Sequence, residues 1–106
     1  MVRHRLYNSI ALGKARDAFK WAKELDETCR REIEGHPGFR VWLPVTGEMN
    51  VVILESDYRD MAEFARLDRA FSTNSNVMNR FRSGVDLLEP GSRPEVVLEE
   101  SAFDLA

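Results

Sequence analysis

From Val2 to Ile10 the chain alternates, with Val2, His4, Leu6, Asn8 and Ile10 on one side and Arg3, Arg5, Tyr7 and Ser9 on the other. Successive strand side chains point to opposite faces, so this period of two predicts a half-buried first strand. The period then changes. Between Lys14 and Glu34, Ala15, Ala18, Phe19, Ala22, Leu25, Cys29 and Ile33 recur at spacings of three and four with charges between them. That pattern predicts an amphipathic helix of about five turns. Gly35 suits the position just past a helix C-terminus, where a positive φ carries no Cβ strain, and Pro37 cannot continue a helix.

FRVWLPV (39–45) and NVVILE (50–55) predict a second and a third strand, joined by a turn at Thr46, Gly47 and Glu48. Pro44 has no N–H to give a ladder, so the second strand is expected to bend or lie at a sheet edge there. Ser56 or Asp57 is expected to cap a second helix, in which Met61, Phe64, Ala65, Asp68 and Phe71 share a face. The polar run STNSN (72–76) interrupts it, and a short third helix over 76–84 presents Val77, Met78 and Phe81. Pro90, Gly91 and Pro94 mark a loop before a fourth strand, PEVVLEE (94–100), and SAFDLA (101–106) is expected to be a loose or partner-docked tail. The order β-α-β-β-α-(α)-β is that of the ferredoxin-like split motif. It predicts an α+β fold over residues 1–100 with a four-stranded antiparallel sheet and helices on one face.

Helices on one face leave the other to be covered. In the second and third strands both faces read as apolar, Val41, Leu43, Val51 and Ile53 alternating with Trp42, Val52 and Leu54. The simplest cover is the sheet of a second copy, in a two-fold homodimer. Trp42 and Tyr7 then fall on the partner side.

Composition narrows the function classes. At 106 residues the chain has room for one domain. A net charge of -3 and a pI near 5.4 argue against a nucleic-acid partner, whose footprint is a basic face; Arg3 and Arg5 are too few to reverse that. Cys29 is the one cysteine, so no intrachain disulfide forms and a cytoplasmic location is the default expectation. No apolar run has the length of a signal peptide or of a membrane span, so no membrane partner is expected.

The strand carrying Asn8, the long helix, the HPGF turn at 36–39, the hairpin and the LES segment at 54–56 opening a helix together resemble the dimeric α/β-barrel superfamily. That group includes the antibiotic-biosynthesis-monooxygenase-like and NIPSNAP-like proteins, and the resemblance covers roughly residues 2–100. It implies a homodimer whose two sheets form a barrel, with a cleft between sheet and helices in each subunit. Members of the superfamily include cofactor-independent monooxygenases, haem-degrading enzymes, polyketide cyclases, dehalogenating or decarboxylating enzymes and non-catalytic domains, so the fold leaves the function open. Asn8 matches the first-strand asparagine of the haem-degrading branch. Leu54 stands where that branch has tryptophan, however, and residues 70–80 lack its haem-ligating histidine. No haem or other cofactor is therefore expected.

Four residues are candidates for chemistry on a small aromatic or polyketide-like ligand. Asn8, on an apolar strand face, reads either as a hydrogen-bond donor to a ligand carbonyl or enolate or as an amide bonded to backbone. Helical projection places Asp26 between Ala22 and Cys29, and Asp68 between Ala65 and Phe71, inside apolar stripes. A desolvated carboxylate there is a general base for an acidic C–H or a phenol. The alternative is an ion pair, with Arg30 for Asp26 and Arg5, Arg40 or Arg82 for Asp68. His4 reads as a pocket acid/base or an exposed strand-end histidine, and His36 as a turn residue. Neither histidine has neighbours at metal-ligand spacing, so no metal is expected. Cys29, on the helix's apolar side, reads as an inert buried thiol. An enzyme without metal or flavin, a non-catalytic NIPSNAP-like ligand- or protein-binding dimer, and a stress-response or regulatory dimer whose cleft is filled by its own side chains are thus the competing expectations.

Overall fold

The first strand, β1 (Val2–Ser9), occupies the span its alternation predicts and is extended by a single bridge from Ile10 to Leu88. In the computed structural model, which describes residues 1–47, 50–90 and 95–100, β1 is an inner strand of a four-stranded sheet. It pairs antiparallel with β3 (Val51–Tyr58) on one side and β4 (Glu95–Glu99) on the other. β2 (Arg40–Trp42) pairs with the far side of β3 and closes the order β2-β3-β1-β4. With α1 (Ala15–Glu32), α2 (Met61–Thr73) and α3 (Ser75–Arg82) on one face, this is the ferredoxin-like arrangement. Glu48, Gly91, Pro94 and residues 101–106 lie outside the described residues.

α1 buries Ala18, Trp21, Ala22, Leu25, Thr28 and Cys29. The buried stripe is therefore rotated from the predicted one: Ala15 and Phe19 are exposed, while Trp21 is core, donating from Nε1 to the Arg80 carbonyl at 2.9 Å. Gly35 follows the helix with φ +79. At Gly38, φ is +73 and an added Cβ would overlap Asp26 Oδ1 and Arg30 Nε. Glycine is needed there because Asp26 reaches past it to accept from the Phe39 amide at 2.6 Å, while Arg30 Nε donates to the same oxygen at 2.9 Å.

Three boundaries differ from the expectation. β2 stops at Trp42, two residues before Pro44, because an edge strand that meets a residue without an N–H loses its ladder. β3 continues through Ser56 and Asp57 to Tyr58, so neither caps α2. Asp60 does, its carboxylate accepting from the Glu63 amide at 2.8 Å while Glu63 accepts from the Arg59 amide at 3.0 Å. The helix break within 72–76 falls at Asn74, which caps α3 through the Val77 amide at 3.0 Å.

Leu67, outside the predicted stripe, is the fully buried residue of α2, and Met61 and Ala65 are exposed. The helix is turned so that Phe64, Leu67 and Phe71 face inward and Asp68 lies at the margin. The core joins Leu25, Leu54, Leu67, Val52 and Val77, each aliphatic side chain contributing ~1.5–3 kcal/mol by leaving water. Among the described residues no helix is long and apolar enough to cross a membrane.

The outer face of the sheet departs from the expected apolar surface. The register aligns Tyr7, Ile53 and Trp42 in one row and Arg5, Glu55 and Arg40 in the next, with Arg3 opposite Asp57. Glu55 is 5% exposed and accepts from Arg5 Nε at 2.7 Å and Arg40 Nη2 at 2.8 Å, with Trp42 Nε1 at 3.3 Å. Arg3 and Arg40 both reach Asp57, at 2.8 Å each. Burial opposes the ionisation of Glu55, but the hydrogen bonds from Arg5 and Arg40 outweigh it and hold its pKa below the ordinary value. The Arg3 hydrogen bond draws Asp57 down to about 2 against the cost of its burial, with Arg40 assisting.

Candidate functional site

A cavity of 190 Å³ lies on the inner side, between the sheet and helices α2 and α3. The alternation of β1 delivers His4 and Leu6 to its floor, and the register of β4 sets Glu95 opposite Leu6. His4 Nε2 lies 2.7 Å from Glu95 Oε1, and the imidazole packs at 5.2 Å, centroid to centroid, from Phe64. Tyr58, the last residue of β3, is also part of the lining. Burial pushes its hydroxyl up to about 12, so it stays protonated.

The HPGF turn supplies the opposite wall through His36 and Phe39. His36 is 7% exposed, and the Gly38 amide donates to its Nδ1 at 2.9 Å. Burial lowers its pKa to about 4, so the ring is neutral near pH 7. A neutral imidazole whose Nδ1 accepts must carry its proton on Nε2. Among the described residues that N–H has no hydrogen-bond partner, and the ring borders the cavity. Phe39, Phe71 and Phe81 form a chain of near-perpendicular rings, with centroids 6.2 and 5.6 Å apart. Asp68 borders the cavity from α2 as an exposed carboxylate rather than the desolvated one expected, because the helix is turned to bury Leu67, and it makes no ion pair with a described residue.

The structure brings two of the four predicted residues, His4 and Asp68, to this cavity. Asn8 is fully buried but is not part of the lining; it lies two positions further along β1 than Leu6, opposite Val52, and its Nδ2 is 3.4 Å from the Leu6 carbonyl. Asp26 faces the 36–39 turn and holds Arg30, the ion pair weighed for it. Of the arginines considered for Asp68, Arg5 and Arg40 are bound to Glu55 across the sheet, and Arg82 makes no ion pair with a described residue. Cys29 is fully buried, and its thiol is pushed up to about 12 by that burial.

His36, Tyr58 and Glu95 are cavity residues that sequence reasoning missed. An acid on the inward side of β4's alternation was a usable signal for Glu95. The His36 ring packs on Phe39 of its own turn, 5.4 Å away by ring centroid, but also on Tyr58 of β3 at 6.4 Å, a contact that local pattern does not signal. Among the described residues no group of three or more His, Cys, Asp or Glu side chains is placed to hold a metal ion.

Sheet order, helices on one face and a cleft beneath them define an α+β, ferredoxin-like fold of the kind found in the NIPSNAP and antibiotic-biosynthesis-monooxygenase-like proteins. No protein-family model matches the sequence, and no curated protein matches it. Solved structures do. An uncharacterised NIPSNAP domain protein of Burkholderia xenovorans superposes with a TM-score of 0.75 at 18% identity over 100% of each chain. A NIPSNAP family protein of Agrobacterium tumefaciens gives 0.74 at 16% identity, covering 97% of this chain and 88% of its own. An antibiotic-biosynthesis-monooxygenase-like protein of Nitrosomonas europaea gives 0.68 at 17% identity, covering 94% of this chain and 98% of its own. At these identities the likeness is one of fold.

Proposed function

We propose that the protein binds a small aromatic molecule in the cleft between sheet and helices, and that it acts in a homodimer closed through the outer sheet face. The observation that carries the ligand reading is the His36 Nε2–H, a donor on a largely buried ring that opens onto the wall of an aromatic-lined cavity and has no protein acceptor among the described residues. Its natural complement is a ligand oxygen. A cavity of ~150 Å³ suffices for benzene, so 190 Å³ suits one substituted ring better than a multi-ring polyketide.

On the enzymatic form of this reading, Asp68 or the His4–Glu95 pair accepts a proton from a phenol or acidic C–H, and His36 donates to the oxygen where charge develops. No metal or flavin is called on. The likeness in fold to an antibiotic-biosynthesis-monooxygenase-like protein supports this form. The likeness to uncharacterised NIPSNAP proteins supports the non-catalytic alternative, a dimer that binds a ligand or another protein.

Thermal unfolding with a panel of one-ring phenols tests the site. Binding raises Tm, and Leu6→Phe or Phe81→Trp, which fill the cavity from opposite sides, abolish the rise while the variants remain folded by circular dichroism. If no phenol raises Tm, or if both filled variants still respond, the cleft is not the ligand site. Sedimentation at micromolar concentration tests the assembly, a monomer being the contrary result.

A further inference from the structure

We infer that the cleft selects organic cations, specifically one-ring molecules bearing a protonated amine, over neutral and anionic ones. The inference rests on the ligand-cleft reading above and adds the charge of the ligand.

Two carboxylates border the cavity, Asp68 from α2 and Glu95 from β4, and among the described lining residues none is lysine or arginine. Glu95 gives one oxygen to His4 at 2.7 Å and keeps acceptor capacity on the other. His36 is held neutral by its burial. Even with His4 protonated, the described lining carries net negative charge. The chain does not lack arginines that pair with acids: on the other side of the same sheet three of them share Glu55 and Asp57. Asp68 and Glu95 are both exposed where the cleft opens, and Asp68 has no protein counter-ion among the described residues, so a ligand ammonium can reach either carboxylate.

The remaining walls favour the same sign. Phe39, Phe71 and Phe81 meet at near right angles, and Tyr58 stands beyond them. Aromatic faces attract cations through the ring quadrupole, more strongly as water is excluded. An anion entering the cavity meets two carboxylates and, among the described lining residues, no donors except the His4 and His36 rings and the Tyr58 hydroxyl. A cation meets two acceptors and the rings. Like-charge juxtaposition is strongly unfavourable in a partly dry site, so discrimination against carboxylates should exceed the preference over neutral molecules.

The test compares benzylamine, benzyl alcohol and benzoate, which share one ring and differ in charge, by isothermal titration calorimetry at pH 7 with the full chain. Benzylamine is expected to bind about tenfold or more tightly than benzyl alcohol, with benzoate undetectable. Asp68→Asn and Glu95→Gln should each weaken benzylamine binding by a larger factor than benzyl alcohol binding, a result general unfolding would not produce. If benzyl alcohol or benzoate binds as well as benzylamine, charge selection is overturned while the ligand cleft stands. If none of the three binds and the phenol panel also fails, both readings fall together.

Discussion

The two faces of the sheet draw on alternate residues of the same strands and handle charge in opposite ways. On the outer face Arg3, Arg5 and Arg40 interlock with Glu55 and Asp57, each carboxylate held by two or more arginines and the arginines keeping contact with solvent. On the inner face the deeply buried polar side chains are uncharged groups turned to backbone: Ser56 Oγ donates to the Gly38 carbonyl at 2.5 Å, and Asn8 lies by the Leu6 carbonyl. Asp68 and Glu95 bring carboxylates to that side where the cleft opens. Charge is stable beside water or a counter-ion and costly elsewhere. Asp68, exposed at the cleft without a protein cation among the described residues, is therefore open to a ligand, whereas an acid on the outer face already has its partners.

The largest break in this comparison should come from adjacent residues of β3 that face opposite ways. Leu54→Ala, beneath the helices at 0% exposure, should cost ~3 kcal/mol in urea unfolding at any protein concentration. Ile53→Ala, on the outer face, should cost ~1 kcal/mol at high dilution, with a further loss at higher concentration if that face closes a dimer. Equal, concentration-independent losses would contradict the assignment of inner and outer faces.

Glu55→Gln should be intermediate, at ~1–2 kcal/mol. It leaves Arg5 and Arg40 hydrogen-bonded to a neutral group, with Asp57 alone to balance three arginines. Because the arginines are partly exposed, added salt should shrink the deficit. A deficit that grows with salt would show that packing rather than charge holds Glu55.

The smallest effect at neutral pH is the titration of His36. In the fold its pKa is about 4, against 6.5 when free, so between these values the unfolded chain binds more protons and stability falls as the pH drops. Asp57 acts lower: with a folded value of about 2 against 3.8, its contribution is intact above ~4 and lost as the pH falls towards 2. His36→Asn, whose amide oxygen can still accept from Gly38, should flatten unfolding free energies between pH 6.5 and 4 and leave the lower limb unchanged. An unaltered slope would mean that His36 is not buried neutral.

Much of this architecture was legible in the chain. The alternation of β1, the three-and-four spacing of α1 and the Gly35–Pro37 stop are local signals, and each element formed where they pointed. Errors arose where local signals compete. Ser56 and Asp57 resemble helix caps in isolation, yet in β3 they alternate with Glu55 and Tyr58 as ordinary strand residues. Met61 and Ala65 fit a helical stripe as well as Leu67 does, and only packing against the core selected Leu67 and moved Asp68 to the rim.

The sequence by itself determined which residues alternate, where helices stop and the order of elements, because these depend on backbone geometry and on side chains a few positions apart. Tertiary structure alone decided which ionisable groups meet. Arg5 and Glu55 are 50 positions apart, and His4 and Glu95 are 91 apart. His36 is polarised by a glycine two residues away but buried by a tyrosine from β3. Charge and desolvation act through space, so the fold had to bring these residues together before the cleft had either a sign or a donor.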